Sequence, residues 1–214
     1  MGIIRNGGNG AFSGKAGSFI GSNWKNVSYI KGIPKLSTKP ATEKQRQQRS
    51  KFMLVMAFLG PIKEIIRIGF KGQEKQRASG FNLAVQHALN FAVIGDYPNY
   101  SIDRSKILMA KGTLTMPTSV VLSSPVTAKV HIAYSNTVND LTAFAGDQLV
   151  VVLYCEEIDM FMPYLGVATR SEGEVLLDVP TEFVGKEVEV NLFFTEQNSS
   201  RCSISILAGA VAVI

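Results

Sequence analysis

Gly14 and Lys15 are residue types that cradle a phosphate, and they stand in a glycine-rich opening stretch, "GNGAFSGKAGSFIGSNWKNVSYIKGIPK", residues 8–35. A nucleotide P-loop needs a glycine, four residues, then Gly-Lys-Ser/Thr, so that backbone N–H groups wrap the phosphates and the hydroxyl holds magnesium. Here the first glycine position is Asn9, and Ala16 supplies no hydroxyl. The dinucleotide fingerprint fails at Ser13, which occupies a glycine or alanine position. No Gly-x-Ser-x-Gly offers a nucleophile elbow. His87, His131, Cys155 and Cys202 are the whole histidine and cysteine complement, and no Cys/His pair is close enough in sequence to suggest a zinc site. Glu156, Glu157 and Asp159 could take a divalent ion, but without calcium-loop spacing they read as a solvated turn between strands. His87, beside Gln86 and Asn90, reads as a surface or internally satisfied histidine. The expectation is a protein with no catalytic, cofactor-binding or metal-binding residues: not an enzyme.

The same stretch offers two kinds of recognition chemistry. Residues 1–51 hold 10 Lys/Arg against the single acid Glu43, a balance of +9. Trp24 and Tyr29 interleave with Lys25 and Lys31, and aromatics among cations can stack bases while the cations meet phosphates. Arg46 and Arg49 stand one helical turn apart. Lys15, Lys25, Lys31, Lys35, Arg46 and Arg49 are therefore candidate nucleic-acid contacts. Phe19, Ile20, Trp24, Val27, Tyr29 and Ile30 are costly to leave in water. Phe19, Ile20, Trp24 and Tyr29 are candidate anchors onto a protein surface, and homo-oligomerisation is the expected use. The glycines suit tight turns and close backbone contact, so an arm built as a small hairpin is expected.

Charge along the chain repeats this division. The 214 residues carry a net +5, with 46% hydrophobic and 18% charged residues, a globular composition. Residues 1–110 hold 17 Lys/Arg against 5 Asp/Glu (+12), and residues 111–214 hold 5 against 12 (−7). A basic half can meet nucleic acid, or the acidic half of the next copy in an assembly; both halves can equally be solvated faces. No uncharged apolar run reaches 18 residues, so no membrane span is expected. The first residues lack the apolar core of a Sec signal peptide. A cytoplasmic or virion/particle-associated place follows as the expectation. Cys155 and Cys202 read as two buried thiols, with a disulfide left open.

Three segments must position these residues. Residues 1–41 form the basic glycine-rich arm. Residues 42–110 form a helical module: Thr42 and Gln45 fit a capping box, "FMLVMAFLG" reads as apolar all round and deeply buried, and Ile62, Ile65, Ile66 and Gly69 make an apolar stripe. A further stripe, Phe81, Val85, Ala88, Leu89 and Ala92, predicts another helix, with Gly95 as its stop. Residues 111–214 read as six or seven strands. In "TAKVHIAYS", Ala128, Val130, Ile132 and Tyr134 alternate, and "DQLVVVLYC" reads as a central strand. The expected class is α+β: arm and helices, then an antiparallel β-sandwich of immunoglobulin or fibronectin-III type.

The segments "FSGKAGSFIGSNWKNVSYIKGIPK", "TEKQRQQRSKFMLVMAFLGPIKEIIRIGFK" and "GDQLVVVLYC", with the terminal β segment, resemble an uncharacterised family of Bacteroidota proteins catalogued as a domain of unknown function. The resemblance covers nearly the whole chain and brings no catalytic residues. A weaker likeness to phage-associated structural proteins implies assembly. The leading expectation is a non-enzymatic structural protein that self-assembles into an oligomer, filament or virion-like particle. The alternative is a nucleic-acid-associated protein whose basic arm neutralises phosphates, and an adhesin is a third reading.

Overall fold

Alternating apolar residues shape most of this chain, and in one sheet they do so on both faces. The computed structural model describes residues 3–4, 10–24, 27–35, 39–73, 78–197 and 201–214. The chain divides into two compact units, Met1–Glu43 and Lys44–Ile214. The first unit is a four-stranded antiparallel sheet of β1 (Ile3–Ile4), β2 (Phe12–Ala16), β3 (Phe19–Trp24) and β4 (Val27–Gly32), in that order. Gly17 and Ser18 form the two-residue loop between β2 and β3, and Gly17 takes φ +58°. A two-residue hairpin of this hand needs positive φ, which glycine adopts without steric cost.

The second unit opens with α1 (Glu43–Leu59, its first residue shared with the boundary), α2 (Lys63–Gly69) and α3 (Gly80–Phe91). Pro61 cannot donate an i→i−4 hydrogen bond, and the chain turns at 60–62 before α2 begins. Ser79 caps α3 by accepting the Asn82 N–H at 3.3 Å. A short pair, β5 (Val93–Ile94) with β6 (Ser101–Ile102), follows. Gly95 lies just after β5 at φ +86°, and the helix ends earlier, at Phe91. The expected helix stop is therefore a turn between strands.

Seven strands complete the unit: β7 (Val121–Ser123), β8 (Lys129–Ala133), β9 (Gln148–Cys155), β10 (Met160–Thr169), β11 (Glu174–Asp178), β12 (Glu187–Thr195) and β13 (Ile206–Ala212). They form two antiparallel sheets, β10-β9-β12-β13 and β11-β8-β7. Leu149, Val151 and Leu153 of β9 and Val188, Val190, Leu192 and Phe194 of β12 share one buried core with Val130 and Ile132 of β8 and Leu177 of β11. This is an immunoglobulin/fibronectin-III-like β-sandwich.

The opposite face of the four-stranded sheet is buried too. Val150, Val152 and Phe193 belong to a second core with Val55, Leu59, Ile62, Ile65, Ile66, Phe81 and Val85 of the helical region. Register enforces this: Val150 stands opposite Phe193, and Val151 opposite Leu192. Directly opposed residues lie on the same face, so β9 and β12 turn alternate residues to two different cores. The run "LVVVLYC" is continuous for that reason. Phe58 of α1 meets Tyr154 and Phe161 edge-on at 5.3 and 5.1 Å, tying the helix to β9 and β10.

The helices thus belong with the sandwich, not with the N-terminal segment. The segment 52–59 also differs from its reading: Val55 and Leu59 are fully buried, but Phe52 is exposed and Met53 is 68% exposed. One helix side packs on the body, and 3.6-residue periodicity turns 52 and 53 away from it. The cysteines occupy different cores, Cys155 inside the sandwich and Cys202 on the helical side, and both are free thiols. The stretch joining helices to sandwich is threaded closely: Lys111 N–H donates to Gly69 O at 2.9 Å, and Leu114 N–H to Cys202 O at 3.0 Å. A Cβ on Gly69 would overlap Met109 O, and one on Gly112 would overlap Cys202 O.

One polar pair is deep in this structure and left no mark in the sequence reading. Arg170 and Asp147 are 2% and 1% exposed, with Arg170 Nε donating to Asp147 Oδ2 at 3.1 Å. Arg170 Nη2 donates to Thr115 O at 2.8 Å, and the guanidinium lies 3.8 Å from the Phe194 ring centroid. Asp147 also accepts the Phe144 N–H at 3.0 Å. Removing one partner of a buried pair strands the other charge, at a cost of about 3–5 kcal/mol. Urea unfolding should show Arg170→Met destabilised by about that amount, and adding Asp147→Leu should restore much of it.

Candidate functional site

The N-terminal sheet holds most of the residues singled out for recognition, and strand register decides which of them meet. Between β2 and β3, Lys15 stands opposite Ile20 and Ala16 opposite Phe19. Between β3 and β4, Ile20 stands opposite Lys31, Ser22 opposite Tyr29, and Trp24 opposite Val27. Opposed residues share a face and neighbours along a strand alternate. Lys15, Ile20, Lys31, Ser22, Tyr29, Trp24 and Val27 therefore occupy one face. Phe19, Gly21 and Ile30 occupy the other, with Phe19 opposite Gly32 and Gly21 opposite Ile30.

The four expected anchors are split by this rule. Ile20, Trp24 and Tyr29 lie together, and Phe19 lies on the reverse face. Three strands bring Lys15, Ile20 and Lys31 into one row, so two of the expected cations flank an apolar residue beside Tyr29 and Trp24. Lys35 is exposed beyond β4. Arg46 and Arg49 are exposed on α1, in the other unit. Lys25 lies outside the described residues. Among the described residues, no carboxylate forms an ion pair with Lys15, Lys31, Lys35, Arg46 or Arg49.

Neither face is covered as a protein core is. Phe19 is 56% exposed, Trp24 48% and Ile30 64%, and all six residues of β4 are exposed. Gly21 is the sheet's one buried residue among those described, because Phe12 lies against it. Phe12 was not among the expected anchors; its signal was its position in a strand opposite the apolar residues of β3.

The acidic turn behaves differently. Glu156 and Glu189 both receive Arg104, from Nη2 and Nε respectively, each at 2.8 Å. Asp159 accepts the Tyr154 hydroxyl at 3.0 Å. Burial, then that hydrogen bond, pushes the Tyr154 phenol up to about 12. Glu156 and Asp159 thus serve internal contacts. Among the described residues, no group of three or more His, Cys, Asp or Glu is placed to hold a metal ion. Among the described residues, no helix is long and apolar enough to cross a membrane.

Residues 11–209 match a family of unknown function (DUF6266), and the chain belongs to it. No curated protein matches the chain in sequence. Two solved structures are similar at low level. The fn3 domain of human collagen alpha-1(XX) chain has 9% identity and a TM-score of 0.36, over 47% of this chain and 86% of that one. The fn3 domain of human contactin 1 has 9% identity and a TM-score of 0.31, over 56% of this chain and 93% of that one. The sandwich rests on strand order and core composition, to which likenesses of this size add nothing.

Gly21 is the position where the sheet tolerates least. A Cβ there would overlap both the Phe12 carbonyl and the Phe12 ring. Gly21→Val should therefore strip hydrogen-exchange protection from the β3 and β4 amides of the full-length protein.

Proposed function

We propose, for a member of a family that brings no assigned activity, a non-enzymatic structural protein that assembles with copies of itself through the N-terminal arm. One observation carries this reading: a small sheet that exposes large apolar side chains on both faces. Fully burying one such side chain is worth roughly 1.5–3 kcal/mol. Phe19 and Ile30 on one face, with Trp24 and Tyr29 on the other, supply enough apolar area to hold a neighbour. Among the described residues β4 is an edge strand, whose outward backbone groups a strand of another copy can meet. The negative balance of residues 111–214 favours contact with a positively charged arm from the next copy. The product is an oligomer, filament or virion-like particle, and the protein acts in the cytoplasm or within such a particle. Light scattering should detect large particles formed by the full chain and lost on deletion of residues 1–35. A strict monomer at high concentration overturns the reading.

A second reading is favoured by the Lys15–Ile20–Lys31 row beside Tyr29 and Trp24. That face pairs cations with aromatic platforms, the combination used on single-stranded nucleic acid. Each phosphate contact on a single strand contributes roughly 0.7 to the slope of log affinity against log salt. Lys15→Gln with Lys31→Gln should reduce that slope by roughly 1.4 in an oligonucleotide titration. Absence of any mobility shift with DNA or RNA at low salt removes this reading and leaves the assembly reading standing.

A further inference from the structure

A cavity of about 350 Å³ lies between α1 and α3 of the second unit. Gln48 and Phe52, four residues apart on α1, line it from one side. Asn82, Gln86 and Asn90, spaced by four along α3, line it from the other. Val85 and Leu89 of α3 add apolar surface, and Phe52 is 47% exposed in the groove. Lys51 also lines it, with Nζ 4.9 Å from the Tyr100 ring centroid.

Four of these side chains are carboxamides: Gln48, Asn82, Gln86 and Asn90. All four are exposed to solvent, and among the described residues none of their side chains has a hydrogen-bond partner. The bond between Asn82 and Ser79 uses the Asn82 backbone N–H. A carboxamide donates and accepts at once, and a peptide unit offers the same two functions in return. This complementarity lies in hydrogen bonding and not in net charge.

The spacing narrows the ligand further. Four residues of helix rise about 6.0 Å, and a row of residues four apart is inclined roughly 26° to the helix axis. Along that row, neighbouring side chains therefore repeat at about 6.7 Å. An extended chain rises about 3.3–3.4 Å per residue, so alternate residues repeat at roughly 6.6–6.8 Å. In such a chain, alternate residues also turn their N–H and C=O groups to the same edge.

We propose that this groove binds an extended peptide. Asn82, Gln86 and Asn90 each meet the N–H and C=O of alternate peptide residues, so three amides read five residues. Gln48 adds a hydrogen bond from the α1 side, and an apolar peptide side chain packs on Phe52, Val85 and Leu89. Recognition of this kind takes its affinity from the main chain and its selectivity from the side-chain pocket. The site belongs to the second unit and does not depend on what the N-terminal sheet binds.

The probe is the acetylated, amidated pentapeptide Ser-Leu-Ser-Leu-Ser, titrated into the full-length protein while NMR follows the side-chain amide signals. The expected result is saturable binding that moves the Asn82, Gln86 and Asn90 signals together. An analogue methylated at every backbone nitrogen should bind roughly tenfold more weakly, because more than one hydrogen bond is lost. Gln86→Ala, at an exposed helix position, should weaken the unmodified peptide several-fold and leave the methylated one unchanged. No saturable binding of the pentapeptide at millimolar concentration overturns the proposal, as does equal affinity for the two peptides. Movement of the same signals by maltotriose but not by the pentapeptide assigns the groove to a sugar and overturns it too.

Discussion

Two central strands buried on both faces, β9 and β12, have no solvent side, and this constraint governs the second unit. Every residue of β9 from Leu149 to Cys155 is buried, and β12 is buried from Asn191 to Thr195. Each face then needs its own cover. The three-stranded sheet covers one and the helices cover the other. A one-residue slip of β12 against β9 would send Leu192 to the helices and Phe193 into the sandwich. Two dissimilar surfaces would have to accept each other's side chains, so the register is held from both sides.

The polar content of this unit follows from the same burial. Interiors of this kind accept an ion pair only where hydrogen bonds and geometry meet most of its needs. Arg170 achieves this through Asp147, the Thr115 carbonyl and the face of Phe194. The N-terminal sheet shows the opposite condition. Its strands pair in regular register while its side chains stay largely in water. Backbone pairing alone gives a small sheet little stability.

Much of the fold was legible because it obeys simple periods. Val130, Ile132 and Tyr134 alternate and are buried together, and the Ile62, Ile65, Ile66 and Gly69 stripe is buried along α2. The failures have physical causes. Around 52–59 an all-apolar run hid a helix with one packed side, because composition records how many apolar residues there are and not which way they point. Gly95 looked like a helix stop because glycine serves turns and helix ends by the same positive φ. Arg170 and Asp147 were invisible as partners because a sequence separation of 23 residues says nothing about proximity until the fold is known. At the N-terminal sheet, residue types were legible, but their division between faces needed the register.

Most sandwich domains of this type have polar outer faces and can be strung along a chain like beads. Here the outer face of the β10-β9-β12-β13 sheet carries Val150, Val152 and Phe193 into a second core. The sandwich is consequently not a portable module: cut free of residues 44–110, it would present Val150, Val152 and Phe193 to water. Helices and sandwich therefore depend on each other to keep these side chains out of water.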